Sequence, residues 1–126
     1  MHRLKDCGIR VSLFADYDYP GIEQARELGA DRVELYTEPY AAHFGSEREQ
    51  KIWDGFRAAA ERVQQADLGV NAGHDLNLDN LGRFLEIPDI LEVSIGHALV
   101  VECIDGGLET VIARYLRIIH EGKGSL

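Results

Sequence analysis

Short β-rich apolar runs alternate with amphipathic stretches along the whole chain, and this alternation constrains the fold more than any other feature. Residues 9–15 (IRVSLFA) form the first run, ending before Asp16. Pro20 then suits a first helical turn, and Ile22, Ala25 and Leu28 keep helical spacing up to Gly29, a suitable residue just past a helix end. The second strand is expected at Arg32–Tyr36 (RVELY), and the third at 68–72 (LGVNA). Between them, Ser46-Glu47-Arg48-Glu49 has the pattern of a capping box, in which a hydroxyl and a carboxylate satisfy orphan amides at a helix start. Behind it Ile52, Phe56, Ala59, Ala60 and Val63 recur at three- and four-residue steps, which predicts a helix with Trp53 and Phe56 in the core. A brief helix over 77–85 ends at Ile87-Pro88, because the residue before proline is pushed out of the α region. The fourth strand is expected at 91–95 (LEVSI). In the last helix Leu108, Val111, Ile112, Tyr115, Leu116 and Ile119 share one face.

Such alternation implies parallel strands joined by right-handed crossovers, in an open doubly wound sheet or a barrel. No G-x-G-x-x-G follows a strand and no G-x-x-x-x-G-K-[ST] occurs, so the nucleotide-binding open sheets lack support. A (β/α)8 barrel needs eight units and about 250 residues. The 126 residues here carry four units, and Leu4-Lys5-Asp6-Cys7-Gly8 reads as the last turn of a helix. No linker or low-complexity run divides the chain. The expected fold is therefore α/β: parallel β/α units forming half of a barrel, one partial domain over residues 1–126.

Charge narrows the partners. With 13 basic residues against 22 acidic ones and a net charge of −9, no basic face for nucleic acid is expected. No run of about 18 apolar residues could span a membrane, and the first residues lack the apolar stretch of a signal peptide. Cys7 and Cys103 match no metal or redox spacing, which fits reduced thiols in a cytoplasmic protein.

In a parallel barrel, function collects where strands end, because those loops converge on one mouth. Glu34, flanked by Val33 and Leu35, is expected to point into the barrel while its neighbours face the helices; a carboxylate there needs a cationic or donor partner. His74 ends the third strand, where an imidazole can donate or accept a proton near neutral pH, and Gly73 lets the backbone approach a ligand. Asp75 could orient that ring, bind a ligand donor or cap the next helix. Gly96-His97 ends the fourth strand, at a strand-to-helix junction suited to phosphate. The two Gly-His pairs, 23 residues apart, both fall at strand ends. His2, His43 and His120 show no constellation, and no metal-ligand spacing occurs.

These residues, in this order, resemble the pyridoxine 5′-phosphate synthase family of vitamin B6 biosynthesis. The matching segments are 8–15 (GIRVSLFA), 29–41 (GADRVELYTEPYA), 70–76 (VNAGHDL), 77–81 (NLDNL), Ile87-Pro88 and 94–98 (SIGHA). The resemblance covers nearly the whole chain and only the C-terminal half of the family, strands 5–8. It implies a TIM barrel that condenses 1-deoxy-D-xylulose 5-phosphate with 3-amino-2-oxopropyl phosphate to pyridoxine 5′-phosphate, phosphate and water. It further implies His74 as proton donor and Glu34 as the carboxylate that stabilises the transition state. Asp75, Gly96 and His97 would contact the aminooxopropyl phosphate. Neither metal nor cofactor is implied; complete members assemble into homo-oligomers.

The family's N-terminal elements have no counterpart here: an Asn-x-Asp-His strand, a His/Arg cluster and a catalytic glutamate. Tyr36-Thr37-Glu38 stands where many members read His-Thr-Gly. The expectation is a synthase fragment that is inactive alone. The alternatives are a half-barrel assembly module, pairing with itself or with a separate N-terminal half, and an unrelated phosphate-binding half-barrel.

Overall fold

The computed structural model describes residues 1–123. Four parallel strands form one sheet in the order β1-β2-β3-β4, with β1 at Ser12–Ala15, β2 at Arg32–Tyr36, β3 at Gly69–Gly73 and β4 at Ile90–Ser94. Six helices accompany them: α1 (His2–Asp6), α2 (Glu38–His43), α3 (Glu49–Gln65), α4 (Leu81–Phe84), α5 (His97–Gly106) and α6 (Leu108–Lys123). The α/β class and the parallel arrangement agree with the sequence reading.

Strand alternation sorts the side chains onto two faces. Val33, Leu35, Val70 and Ala72 are buried toward the helices. There they join Tyr40, Phe56 and Phe84, whose ring centroids lie 5.2–6.3 Å apart. Gly55 on α3 makes room for this core: a Cβ there would lie 2.6 Å from the Tyr17 ring, which stacks on Phe56 at 4.4 Å. The opposite face carries Phe14, Glu34, Asn71 and Glu92 in one register row and Tyr36, Gly73 and Ser94 in the next.

A side-chain bridge crosses that second face. Arg10, just before β1, donates to Glu92 Oε2 on β4 at 3.2 Å, and Arg32 on β2 donates to the same oxygen at 3.0 Å. Three strand spacings of about 4.7–4.9 Å separate β1 from β4, and the long Arg10 and Glu92 side chains reach across them.

Several boundaries differ from the sequence reading. The first strand starts at Ser12 rather than residue 9, and the third and fourth shift by a single residue. Only a 3₁₀ turn, Ile22–Ala25, forms where a helix was expected up to Gly29. Ile22 and Ala25 are buried while Leu28 is exposed, so the segment has just two apolar anchors, three residues apart. That spacing suits the i→i+3 geometry. The helix expected over 77–85 shrinks to α4, because Asn77 and Asn80 lock a turn ahead of it. α2 has no counterpart among the expected elements; its anchor is the buried Tyr40. The expected capping box does not cap α3, whose N-cap is Arg48 without a side-chain cap bond; Ser46 Oγ accepts from Arg48 N (3.2 Å) and Glu49 Oε2 from Gly45 N (2.6 Å) in the turn ahead of it. Among the described residues no helix is long and apolar enough to cross a membrane.

Candidate active site

The strand ends of β2 and β3 bring three of the expected residues together. Glu34 does point away from the helix-facing core, as alternation requires. Its carboxylate lies over Gly73 so closely that a Cβ at Gly73 would stand 2.5 Å from Glu34 Oε1 and 3.0 Å from Ser94 Cβ. Gly73 is thus the absence of a side chain that seats a carboxylate.

The cation or donor expected beside Glu34 is not supplied by the described residues. Arg32, two positions earlier on the same face, is engaged with Asn71 Oδ1 and Glu92, both at 3.0 Å. Glu34 is half-buried on the open face, and no buried side-chain polar atom is left without a partner among the described residues.

Directly after Gly73 the backbone turns through two left-handed residues, His74 (φ +97°) and Asp75 (φ +58°). Asp67 and Asp89 also have positive φ, near +57° and +59°, which aspartate tolerates singly in turns. His74 is different. Its φ lies outside the small left-handed well, and such a residue costs on the order of 1–3 kcal/mol unless its surroundings over-determine it. The imidazole is half exposed, with Nδ1 3.1 Å from Asp75 Oδ2 and the ring centroid 4.7 Å from that of Tyr36. Asp75 therefore sits against the histidine ring and does not cap the next helix, whose N-cap is Asn80.

The surroundings that hold this corner come from residues the sequence reading passed over. Thr37 N donates to Gly73 O (2.9 Å), Thr37 Oγ1 to His74 O (2.5 Å) and Asn80 Nδ2 to Asp75 O (3.1 Å). Asn80 is fixed in turn: its Oδ1 accepts from Asn77 N (2.9 Å), its N donates to Asn77 Oδ1 (3.0 Å), and Tyr40 Oη donates to its carbonyl (2.8 Å). Burial pushes the Tyr40 phenol well above the usual tyrosine range.

Gly96 and His97 end the neighbouring strand. Gly96 takes the N-cap position of α5 and His97 its first turn. Both are exposed, and His97 makes no side-chain hydrogen bond or ion pair among the described residues. A cavity of about 790 Å³ lies elsewhere, between β4, Leu85, Ile118 and Ile119. It contains none of these candidates and is the uncovered flank of an edge strand. Cys7 and Cys103 are free thiols, and among the described residues no group of three or more His, Cys, Asp or Glu is placed to hold a metal ion.

The family model described as "Pyridoxal phosphate biosynthesis protein PdxJ" matches residues 1–121. The chain belongs to this family. A pyridoxine 5′-phosphate synthase of Xanthomonas campestris pv. campestris is 53% identical over 119 residues, 94% of this chain and 46% of its own length. The synthase of Albidiferax ferrireducens is 47% identical over 117 residues (92% and 46%), and that of Xanthomonas axonopodis pv. citri 49% over 122 (96% and 48%). The chain spans about half the length of these curated relatives. In this PdxJ-family chain Thr37 and Asn80 carried one signal in advance, their place inside the matched segments 29–41 and 77–81. Nothing local marked them as partners of His74.

Proposed function

We propose that the chain supplies half of a pyridoxine 5′-phosphate synthase active site, built on the last four units (strands 5–8) of a (β/α)8 barrel as one partial domain over residues 1–126. In this reading His74 is the proton donor and Glu34 the carboxylate that stabilises charge in the transition state. Asp75 and Gly96-His97 hold the aminooxopropyl phosphate. The reaction joins that phosphate to 1-deoxy-D-xylulose 5-phosphate, closing the ring with loss of phosphate and water. Such a condensation needs several proton transfers and fixed reactants. A cytoplasmic location, small phosphorylated substrates and no nucleic-acid partner belong to the same reading, which the net charge of −9 supports.

The observation that carries it is the left-handed His74-Asp75 corner, set directly after the glycine on which Glu34 rests. Strain of this kind persists where a side chain must be aimed. Glu34 also lacks a charge partner among the described residues, which fits a site completed by groups on other strands. The test mixes the purified chain with both substrates, alone and with a separately expressed polypeptide covering the remaining half of the Xanthomonas campestris relative. Product is expected from the pair, none from the chain alone, and none from the pair carrying His74→Ala. Product from the chain alone, or from the His74→Ala pair, sinks the reading.

A second reading has its own observation. β1 and β4 are open edges with Phe14 and Leu91 more than half exposed beside them, and an unpaired edge recruits another strand. A half-barrel that pairs with a second copy would scatter light as a dimer at micromolar concentration; a monomeric mass rules this out.

A further inference from the structure

The His74 imidazole is half exposed, with its ring against Tyr36 and the Asp75 carboxylate. No core packing decides where it sits, so its position is inherited from the backbone beneath it. That backbone is held at three successive carbonyls. Gly73 O and His74 O are taken by the amide and hydroxyl of Thr37, and Asp75 O by the amide group of Asn80.

We infer that Thr37 and Asn80 are positioning residues whose side chains keep His74 and Asp75 in the left-handed conformation, and so set where the imidazole stands after the glycine on which Glu34 rests. The inference rests on the catalytic reading of His74 for its consequence, but not for its geometry. Three buried polar residues occur among the described residues: Thr37 (0% exposed), Asn80 (1%) and Asn71. Burying a polar side chain is unfavourable unless its hydrogen bonds are made inside. Here the bonds of Thr37 and Asn80 converge on one corner from two directions, after β2 and before α4. Water does not reach these donors, so each bond holds one geometry rather than exchanging with solvent. Asn80 gains stiffness from Asn77 and from the Tyr40 hydroxyl, which links the corner to the aromatic core.

The test follows the His74 ring by histidine-selective carbon–proton NMR on the chain, with pH titration, in Thr37→Val, Thr37→Ser and Asn80→Asp. Valine keeps the shape and the amide but loses the hydroxyl; serine keeps the hydroxyl. Aspartate keeps the oxygen facing Asn77 and loses the donor facing Asp75. Thr37→Val and Asn80→Asp should move the His74 ring signal and its titration midpoint, leave His2, His43 and His120 in place, and Thr37→Ser should restore the wild-type signal. A folded Thr37→Val whose His74 signal and midpoint match wild type overturns the inference. Where Thr37→Val fails to fold, the same substitution is made in His74→Gly, since glycine adopts the corner without help. Recovery of folding there supports the clamp, and no recovery overturns it. The readout does not depend on turnover, so a failed synthase assay leaves it intact, and an unmoved ring leaves that assay to stand alone.

Discussion

Substituting Gly73 by alanine tests whether the glycine exists to seat Glu34. The added Cβ would stand 2.5 Å from Glu34 Oε1, against an ordinary contact of 3.4–4 Å, so the carboxylate must retreat by nearly 1 Å. A side-chain end can swing away at a cost of about 0.5–1.5 kcal/mol when it leaves its rotamer. Ser94 Cβ, at 3.0 Å, cannot swing, because it is bonded to the β4 backbone, and must give by a few tenths of an ångström. Together these place the loss at about 1–2 kcal/mol, inside the ~1–3 kcal/mol range for overpacking. For a chain of this size that corresponds to a Tm lower by roughly 3–10 °C.

Urea unfolding followed through the single tryptophan, Trp53, gives the free energy. The decisive comparison repeats Gly73→Ala in a Glu34→Ala background. There only the Ser94 contact remains, and alanine recovers about 0.4–1 kcal/mol by restricting the unfolded chain. The substitution should then be close to neutral, a coupling of about 1 kcal/mol between the two positions. Equal losses in both backgrounds would refute the argument that the carboxylate, rather than the sheet, demands glycine.

Two further outcomes concern pH. The Lys5 ammonium and the amide of Val11 hold the Asp31 carboxyl below the usual aspartate range, so its folded pKa lies under its unfolded one. Its stabilising contribution is complete above the ordinary value of about 3.9 and is lost as pH falls through the lower folded value; Asp31→Asn should flatten acid unfolding in that window, and an unchanged profile would count against it. Burial raises the Tyr40 phenol, so its contribution is present below the ordinary tyrosine pKa and disappears as pH rises through the folded one. Part of the tyrosinate absorbance should therefore appear only together with loss of the Trp53 native signal, and Tyr40→Phe should remove that part while costing about 0.5–1.5 kcal/mol for the bond to Asn80.

The fold class was legible wherever burial follows a simple period. Ile52, Phe56, Ala59, Ala60 and Val63 all became buried residues of α3, and Val33 and Leu35 turned inward from Glu34 as a period of two demands. The placement of His74 and Gly96-His97 just after strands was legible because the apolar runs mark where strands end. The 3₁₀ turn at Ile22–Ala25 and the helix α2 were not, since two apolar anchors or one buried tyrosine leave almost no periodic trace.

What the sequence determined by itself was which residues could bury apolar surface, and hence the parallel β/α order and the polar residues left at its strand ends. Tertiary structure alone decided how those polar groups are held. Thr37 reaches His74 across 37 residues, Arg10 reaches Glu92 across 82, and Gly73 matters because a carboxylate from a neighbouring strand occupies the space its side chain would have filled. Apolar burial is non-directional and additive enough to read along a chain. A hydrogen bond or a steric vacancy needs both partners placed, and only the folded sheet places them.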